Sequence, residues 1–73
     1  MKTNTTTPRT FDVIFNDANN TSAKGFAASL DYCLQYITAH NGTNDSYFAD
    51  YQGGVVQVVC NEDGAVIYEE RVI

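Results

Sequence analysis

The chain is short and acidic, with 73 residues and a formal net charge of −5. A chain of this length forms one domain with a small core, and such domains often gain stability by associating. Its four Lys and Arg residues are scattered, which argues against a phosphate-backbone interface and predicts no binding to nucleic acid. No apolar run is long enough for a membrane span, and Met1–Arg9 lacks an apolar leader, so we expect a cytoplasmic protein.

The first nine residues differ in character from those that follow. Met1–Arg9 is polar and rich in threonine, and we expect a disordered tail outside a single folded domain that spans residues 10–73. Thr10–Asn16 alternates apolar and polar residues, which predicts a half-buried strand, and turn residues follow in Asp17–Asn20. The apolar face of this strand carries Phe11, Val13 and Phe15, and the other face carries Asp12, Ile14 and Asn16.

Ser22–Asn41 has the apolar period of one long amphipathic helix. The hydroxyls of Thr21–Ser22 suit its N-terminal cap, and Gly42 suits the left-handed residue that follows a helix end. Gly25 costs about 1 kcal/mol relative to alanine in a helix, so either a packing contact requires it or the helix begins nearer Phe26. The predicted buried stripe is centred on Leu30 and comprises Ala23, Phe26, Ala27, Leu30, Cys33, Leu34 and Ile37.

The connection Gly42–Gly54 carries three aromatic residues, Tyr47, Phe48 and Tyr51. A structureless loop rarely holds three aromatic side chains, and the pattern predicts one helical turn over Ser46–Tyr51. We expect these side chains to cap one end of the core. An exposed aromatic lip that binds a ligand is the alternative.

Two further strands, Val55–Asn61 and Ala65–Ile73, are predicted on either side of a tight turn. Gly64 suits the left-handed position of a type I turn with a bulge, and this turn fixes the register. The expected pairs are Cys60 with Val66, Val59 with Ile67, Val58 with Tyr68, Gln57 with Glu69, Val56 with Glu70 and Val55 with Arg71. The face expected beneath the helix carries Val56, Val58, Cys60, Val66 and Tyr68, because the other face carries Gln57, Glu69 and Arg71.

These elements follow the order β-α-β-β and define an α+β domain, with one long helix packed on a three-stranded sheet. The first two strands then run in the same direction. They are either neighbours in a right-handed βαβ unit or separated by the third strand in a split unit. We favour the split arrangement, strand order 2-3-1, because it makes every pairing antiparallel and suits a sheet with one face in solvent.

Few residues of the chain suggest chemistry. Cys33 and Cys60 are interpreted as small buried hydrophobic residues, and whether they are close enough to pair stays open. His40 lies in the last helical turn, where its charged form favours the helix dipole, and no partner identifies it as a general base. No spacing of residues indicates a catalytic or metal site, so we expect no cofactor.

Two surfaces are more apolar than a monomer needs, namely the sheet face away from the helix and one flank of the helix. No second helix is available for the sheet face, so we expect a symmetric homodimer to cover it and also expect a protein partner. The flank carries Tyr32, Tyr36 and His40, which are either covered by loop aromatics or exposed to a partner. The predicted interface residues are Ile14, Val55, Val59 and Ile67 on the sheet and Tyr32 and Tyr36 on the helix.

Four runs of the sequence carry a resemblance to a known group. They are Tyr32–Ile37, Asn41–Asn44, Tyr47–Gly54 and Val58–Glu62. Together they resemble small uncharacterised proteins of Bacteroidetes-type gut bacteria, which implies a bacterial setting and no particular activity. The β-α-β-β order is also similar to that of dodecins, acidic flavin-storing oligomers of similar length. Dodecins stack flavin on a tryptophan and this chain has none, so flavin binding is not expected.

The sequence therefore predicts a small non-enzymatic protein-interaction module that associates with itself through its sheet. Two alternatives stay open. The first is a dodecin-like oligomer that binds a small ligand, which a coloured or fluorescent purified protein would favour. The second is an enzyme whose site forms between subunits around His40 or Cys33.

Overall fold

The computed structural model describes residues 9–73, so the predicted tail, apart from Arg9, lies outside the described residues. The described part has an antiparallel sheet on one side and helices on the other, which confirms the α+β class. Its strands are β1 (Phe11–Asn16), β2 (Thr21–Ala23), β3 (Val55–Cys60) and β4 (Val66–Arg71), and its helices are α1 (Leu30–His40) and α2 (Ser46–Asp50). The sheet therefore has four strands, in the order β2-β1-β3-β4, where three were predicted.

The alternation predicted for the first strand is confirmed. Phe11, Val13 and Phe15 are buried, and they stand opposite the buried side of β3. Both helices pack on this side of the sheet, with α1 lying over β1 and β3. The core consists of Phe11, Val13, Phe15, Cys33, Ile37, Phe48, Tyr51, Val56, Val58, Cys60 and Val72.

The long helix predicted over Ser22–Asn41 is wrong in its first two turns. Helix α1 has 11 residues, and its N-cap is Ser29, whose Oγ accepts a hydrogen bond from the Tyr32 N–H at 3.1 Å. Residues 21–23 form β2 instead and residues 24–27 are irregular, and Gly25 has a φ of +79°, which is incompatible with a helix. The predicted centre of the stripe, Leu30, is consequently only half-buried, while Cys33 and Ile37 are fully buried.

Asp12 explains why residues 24–28 are not helical. Its carboxylate accepts hydrogen bonds from the backbone N–H groups of Phe26 at 2.8 Å, Gly25 at 3.2 Å and Val13 at 2.7 Å. Asp12 was predicted on the polar face, yet it is only 7% exposed. Charge-assisted bonds of this kind are worth more than the local helix propensity of a few residues, so the tertiary contact decides the conformation.

The predicted strand order 2-3-1 is wrong, because β1 and β3 are antiparallel neighbours. The prediction lacked one chain reversal. Residues 17–28 turn back along β1, and Phe11 and Ala28 exchange backbone hydrogen bonds of 2.7 and 3.2 Å. Helix α1 therefore starts beside the beginning of β1 rather than after its end, and β3 enters the sheet in the opposite direction. As a result β3 is central and β4 is an edge strand.

The hairpin of β3 and β4 follows the predicted register over four pairs, from Val55 opposite Arg71 to Val58 opposite Tyr68. Gly64 has the predicted left-handed conformation, with a φ of +74°. A bulge then shifts the register, so that Val66 rather than Ile67 stands opposite Val59.

Val56, Val58 and Cys60 are buried beneath the helices as predicted. Val66 and Tyr68 were expected beneath the helix too, but both are exposed, because β4 lies beyond the strands that α1 covers.

The aromatic connection after α1 behaves as predicted. Gly42 has a positive φ of +90° after the helix end, and α2 forms the expected helical turn. Phe48 and Tyr51 are buried against Phe15, with ring centroids 4.8 and 5.7 Å from that ring. They close one end of the core, as the sequence indicated.

Candidate interaction surfaces

The sheet face away from the helices carries the predicted apolar group, and we call it the outer face. By register it comprises Asp12, Ile14, Asn16, Thr21, Ala23, Val55, Gln57, Val59, Val66, Glu69 and Arg71, of which Asp12 is buried. Ile14, Val55 and Val59 are half-buried, and within residues 9–73 no helix packs on this face. The alternation of β1 and β3 creates the face, since residues that point away from the core must all lie there.

Ile67, also predicted for this interface, is the extra residue of the bulge in β4. Its side chain is 45% exposed, and its neighbours Val66 and Tyr68 are 52% and 39% exposed. Three consecutive apolar residues are therefore accessible on the edge strand. Because a bulge bends the strand that contains it, the exposed side chains extend from the outer face around the edge of the sheet.

A chain of hydrogen-bonded side chains crosses the outer face from β2 to β4. The Thr21 hydroxyl donates to Asn16 Oδ1 at 2.7 Å, and Asn16 Nδ2 donates to Gln57 Oε1 at 3.0 Å. Gln57 Nε2 then donates to Glu69 Oε1 at 3.0 Å. These polar groups satisfy one another, so covering the face would leave few of them without a partner.

The outer face differs from the whole chain in its electrostatics. Glu69 and Arg71 are exposed on it and carry opposite charges, whereas the whole chain has a net charge of −5. Repulsion between two copies is therefore weaker when they meet through this face than through most other orientations.

The second predicted surface, the flank of α1, is partly covered. The Tyr36 ring packs against Phe26 and Phe48, with centroid distances of 5.2 and 5.8 Å, so loop aromatics do fold over this part. Tyr32 remains 52% exposed, with its ring 5.6 Å from that of Phe26. Of the two interface residues predicted on the helix, Tyr32 is thus accessible and Tyr36 is half-buried.

Lys24 and Ser46 are the closest approach to a catalytic pair on this flank. Lys24 Nζ donates to Ser46 Oγ at 3.0 Å and lies 5.1 and 5.7 Å from the ring centroids of Tyr47 and Tyr36. Ser46 has a positive φ of +49°, an unusual conformation for a non-glycine residue. Lys24 is the donor in this contact and also makes cation–π contacts with the two rings, and no side chain of residues 9–73 accepts a hydrogen bond from the Ser46 hydroxyl. The contact therefore ties β2 to α2 without activating a nucleophile.

His40 pairs with Asp45, with 2.8 Å between Nδ1 and Oδ2. Both side chains are accessible, and the pair closes the loop between α1 and α2. The Asp45 carboxylate makes no cap hydrogen bond to α2. Ser46 Oγ contacts Lys24 rather than His40, so these groups do not form a triad.

Cys33 and Cys60 are buried free thiols, as the helix and strand periods predicted. Burial raises the pKa of the Cys33 thiol, and the Asp12 carboxylate raises it further. Cys60 Sγ donates to Glu62 Oε1 at 3.1 Å. A raised pKa keeps Cys33 in the thiol form, which is a poor nucleophile.

Residues 9–73 enclose no detectable pocket, and no three or more His, Cys, Asp or Glu side chains among them are grouped to hold a metal ion. In the same residues, no helix is long and apolar enough to span a membrane. Comparisons with protein-family models, curated proteins and solved structures found nothing that matches this chain. The dodecin likeness assumed a β-α-β-β order, and β2 and α2 depart from it.

Sequence reasoning missed two features of these surfaces. The hydrogen-bonded chain on the outer face depends on β2, a strand of three residues that is too short to show a period. The exposed edge of β4 depends on the strand order, which the sequence does not fix. The signal that could have found β2 is the turn at Asp17, whose Oδ1 accepts the N–H groups of Asn19 and Asn20.

Proposed function

We propose that this protein is a small interaction module that acts through protein contacts and not through catalysis, and that it forms a homodimer through the outer face. The observation that carries the proposal is the row of half-buried aliphatic side chains, Ile14, Val55 and Val59, on a face that no helix of residues 9–73 covers. Exposed apolar faces rimmed by polar groups mark association sites. The bacterial setting and the cytoplasmic location are part of this proposal.

Charge and polarity favour a second copy of this chain as the partner that covers the outer face. The exposed charges of the outer face, Glu69 and Arg71, can each meet the opposite charge of a second copy in a two-fold arrangement. The hydrogen-bonded side chains that run from Thr21 to Glu69 also lower the cost of dehydrating the face, because these polar groups already bond to one another.

The size of the face predicts a weak dimer. Three strands of six residues and one of three residues span about 20 by 19 Å at most, or about 340 Å². A typical stable interface buries about 800 Å² per partner, so we expect dissociation in the micromolar range.

Analytical ultracentrifugation of charge variants tests the proposal. Val66→Glu places a carboxylate opposite Val59 at an already exposed site, so it should abolish association and leave a folded monomer. Ile67→Glu is the second variant, because Ile67 is the exposed neighbour in the bulge. Gln35→Glu adds the same charge on the exposed side of α1 and serves as the control. A wild type that stays monomeric at high concentration, or Val66→Glu and Ile67→Glu dimers as stable as those of Gln35→Glu, would contradict the proposal.

A further inference from the structure

The edge of β4 is a second surface whose backbone groups are partly unpaired. Among residues 9–73 β4 is the last strand of the sheet, and Val72 uses its N–H and C=O on Gly54 and Gly53, at 3.0 and 2.9 Å. The direction of these groups alternates along a strand, so Glu69 and Arg71 direct their N–H and C=O away from β3. This row of groups is a template for another strand.

Asn41 already occupies one end of this edge in the manner of a neighbouring strand. Its Nδ2 donates to the Arg71 carbonyl at 2.9 Å, and its Oδ1 accepts from the Ile73 N–H at 3.0 Å. A single side chain thereby covers the part of the edge beyond Arg71. The groups of Glu69 lie outside its reach, and so does the exposed stretch Val66–Tyr68.

We propose that the open edge of β4, Val66–Glu69, accepts an extended basic segment of another protein as an additional strand. Strand addition gains affinity from the main chain and specificity from alternate side chains. Here Val66, Ile67 and Tyr68 offer apolar contacts on both sides of the strand. The inference goes beyond self-association, which uses the outer face, because it concerns the edge and a different partner.

Charge selects the occupant of the edge. The segment Asn61–Ile73 contains four carboxylates, Glu62, Asp63, Glu69 and Glu70, and one guanidinium, Arg71. A second β4 paired antiparallel about Glu69 would set two Glu69 side chains directly opposite each other, which is destabilising. Glu69 and Glu70 lie on opposite faces of the sheet, so a strand with lysine or arginine at alternate positions would place its cations beside one of these two carboxylates.

The test uses a capped peptide of alternating valine and lysine, matched with one of alternating valine and glutamate, and follows the Glu69 amide by NMR hydrogen exchange. We expect that amide to exchange rapidly in the free protein and to be protected by the lysine peptide, with the glutamate peptide binding at least tenfold more weakly. Glu69→Pro removes the outward N–H without removing a bond to β3, and should weaken binding about tenfold relative to Glu69→Ala.

Three results would overturn the inference. The first is no binding of the lysine peptide to the wild type, and the second is equal binding to Glu69→Pro and Glu69→Ala. The third is slow exchange of the Glu69 amide without peptide, which would mean that the edge is already covered. Should Glu69→Pro fail to fold, the exchange of the wild-type amide decides the question alone. Sedimentation of Glu69→Pro and Glu69→Ala shows whether two copies pair through the edge of β4 or through the outer face. Pairing through the edge would be lost in Glu69→Pro and kept in Glu69→Ala.

Discussion

Asp12 shows how one side chain can decide the conformation of a distant segment. Its carboxylate is buried, and it binds the N–H groups of Gly25 and Phe26, which would otherwise lack partners between β2 and the bridge at Ala28. A buried N–H group without a partner costs about 1–3 kcal/mol. Asp12 therefore contributes to the fold by holding the backbone of residues 24–28.

Replacing Asp12 tests this role. Asp12→Ala removes the acceptor of the N–H groups of Val13, Gly25 and Phe26, of which Gly25 is exposed, and should lower the free energy of unfolding by about 2 kcal/mol or more. Asp50→Ala, at an exposed position at the end of α2, is the control and should change stability by less than about 0.5 kcal/mol. Urea denaturation measures both, and equal effects would show that the carboxylate is dispensable.

The thiol of Cys33 should be inert in the folded state. It is fully buried, and burial raises its pKa above the ordinary value of 9.0. We expect slow reaction with a thiol reagent in native protein and rapid reaction in denaturant, with Cys33→Ala removing one of the two labelled sites. Immediate native labelling of both cysteines would contradict the buried positions of Cys33 and Cys60.

The raised pKa of Cys33 also predicts a dependence of stability on alkaline pH. A group with a raised folded-state pKa contributes stability below its unfolded pKa, and this contribution is lost as the pH rises through the folded value. The unfolding free energy should therefore fall above about pH 9, and Cys33→Ala should reduce that slope. A slope unchanged by the substitution would mean that other groups cause it.

At the scale of elements, the predicted long helix and the observed structure differ most in the segment between β2 and α1. Gly25 has a φ of +79° and no atom within 4 Å of an added Cβ, so alanine meets strain but no clash. Gly25→Ala should lower the free energy of unfolding by about 1–2 kcal/mol. In a helix the same change would raise it by about 1 kcal/mol, so the sign measured in urea is decisive.

The shorter helix also changes which residue matters most in α1. Ile37 is fully buried and Leu30 is half-buried. Ile37→Ala should cost about 2–5 kcal/mol, since it leaves a cavity over β1 and β3, and Leu30→Ala should cost clearly less. Thermal or urea unfolding of the two variants compares them, and a larger loss for Leu30→Ala would favour the longer helix.

Local sequence patterns predicted the buried faces of β1 and β3 and the turn that joins β3 to β4. The alternation of Phe11, Val13 and Phe15, and that of Val56, Val58 and Cys60, gave the correct buried faces. Gly64 gave the correct turn, and hence four pairs of the hairpin. These features depend on residues that are close in sequence.

The features that failed depend on a contact between distant residues. Phe26, Ala27 and Leu30 fit a helical period, and nothing local shows that Asp12 binds the backbone beside them. The missed reversal at Asp17 then changed the direction of every later element, and with it the strand order. The outer face was predicted because it follows from alternation, and the edge of β4 was not, because it follows from topology.

At the scale of the whole molecule, net charge should control association. Two copies with a charge of −5 each repel one another at a distance, and salt screens this repulsion with a Debye length of about 30 Å at 0.01 M and about 8 Å at 0.15 M. Added salt should therefore strengthen the dimer in sedimentation experiments. Weakening by salt would indicate instead that ion pairs involving Glu69 and Arg71 dominate the interface.

Methyl NMR spectra recorded across a dilution series locate the interface most directly. Between about 10 μM and about 1 mM, the range in which a weak dimer forms, the methyl resonances of Ile14, Val55, Val59 and Val66 should shift together with one dissociation constant. The resonances of Leu34 and Ile37, on the opposite layer, should stay constant. Spectra that do not change with concentration, or shifts confined to the α1 layer, would contradict association through the outer face.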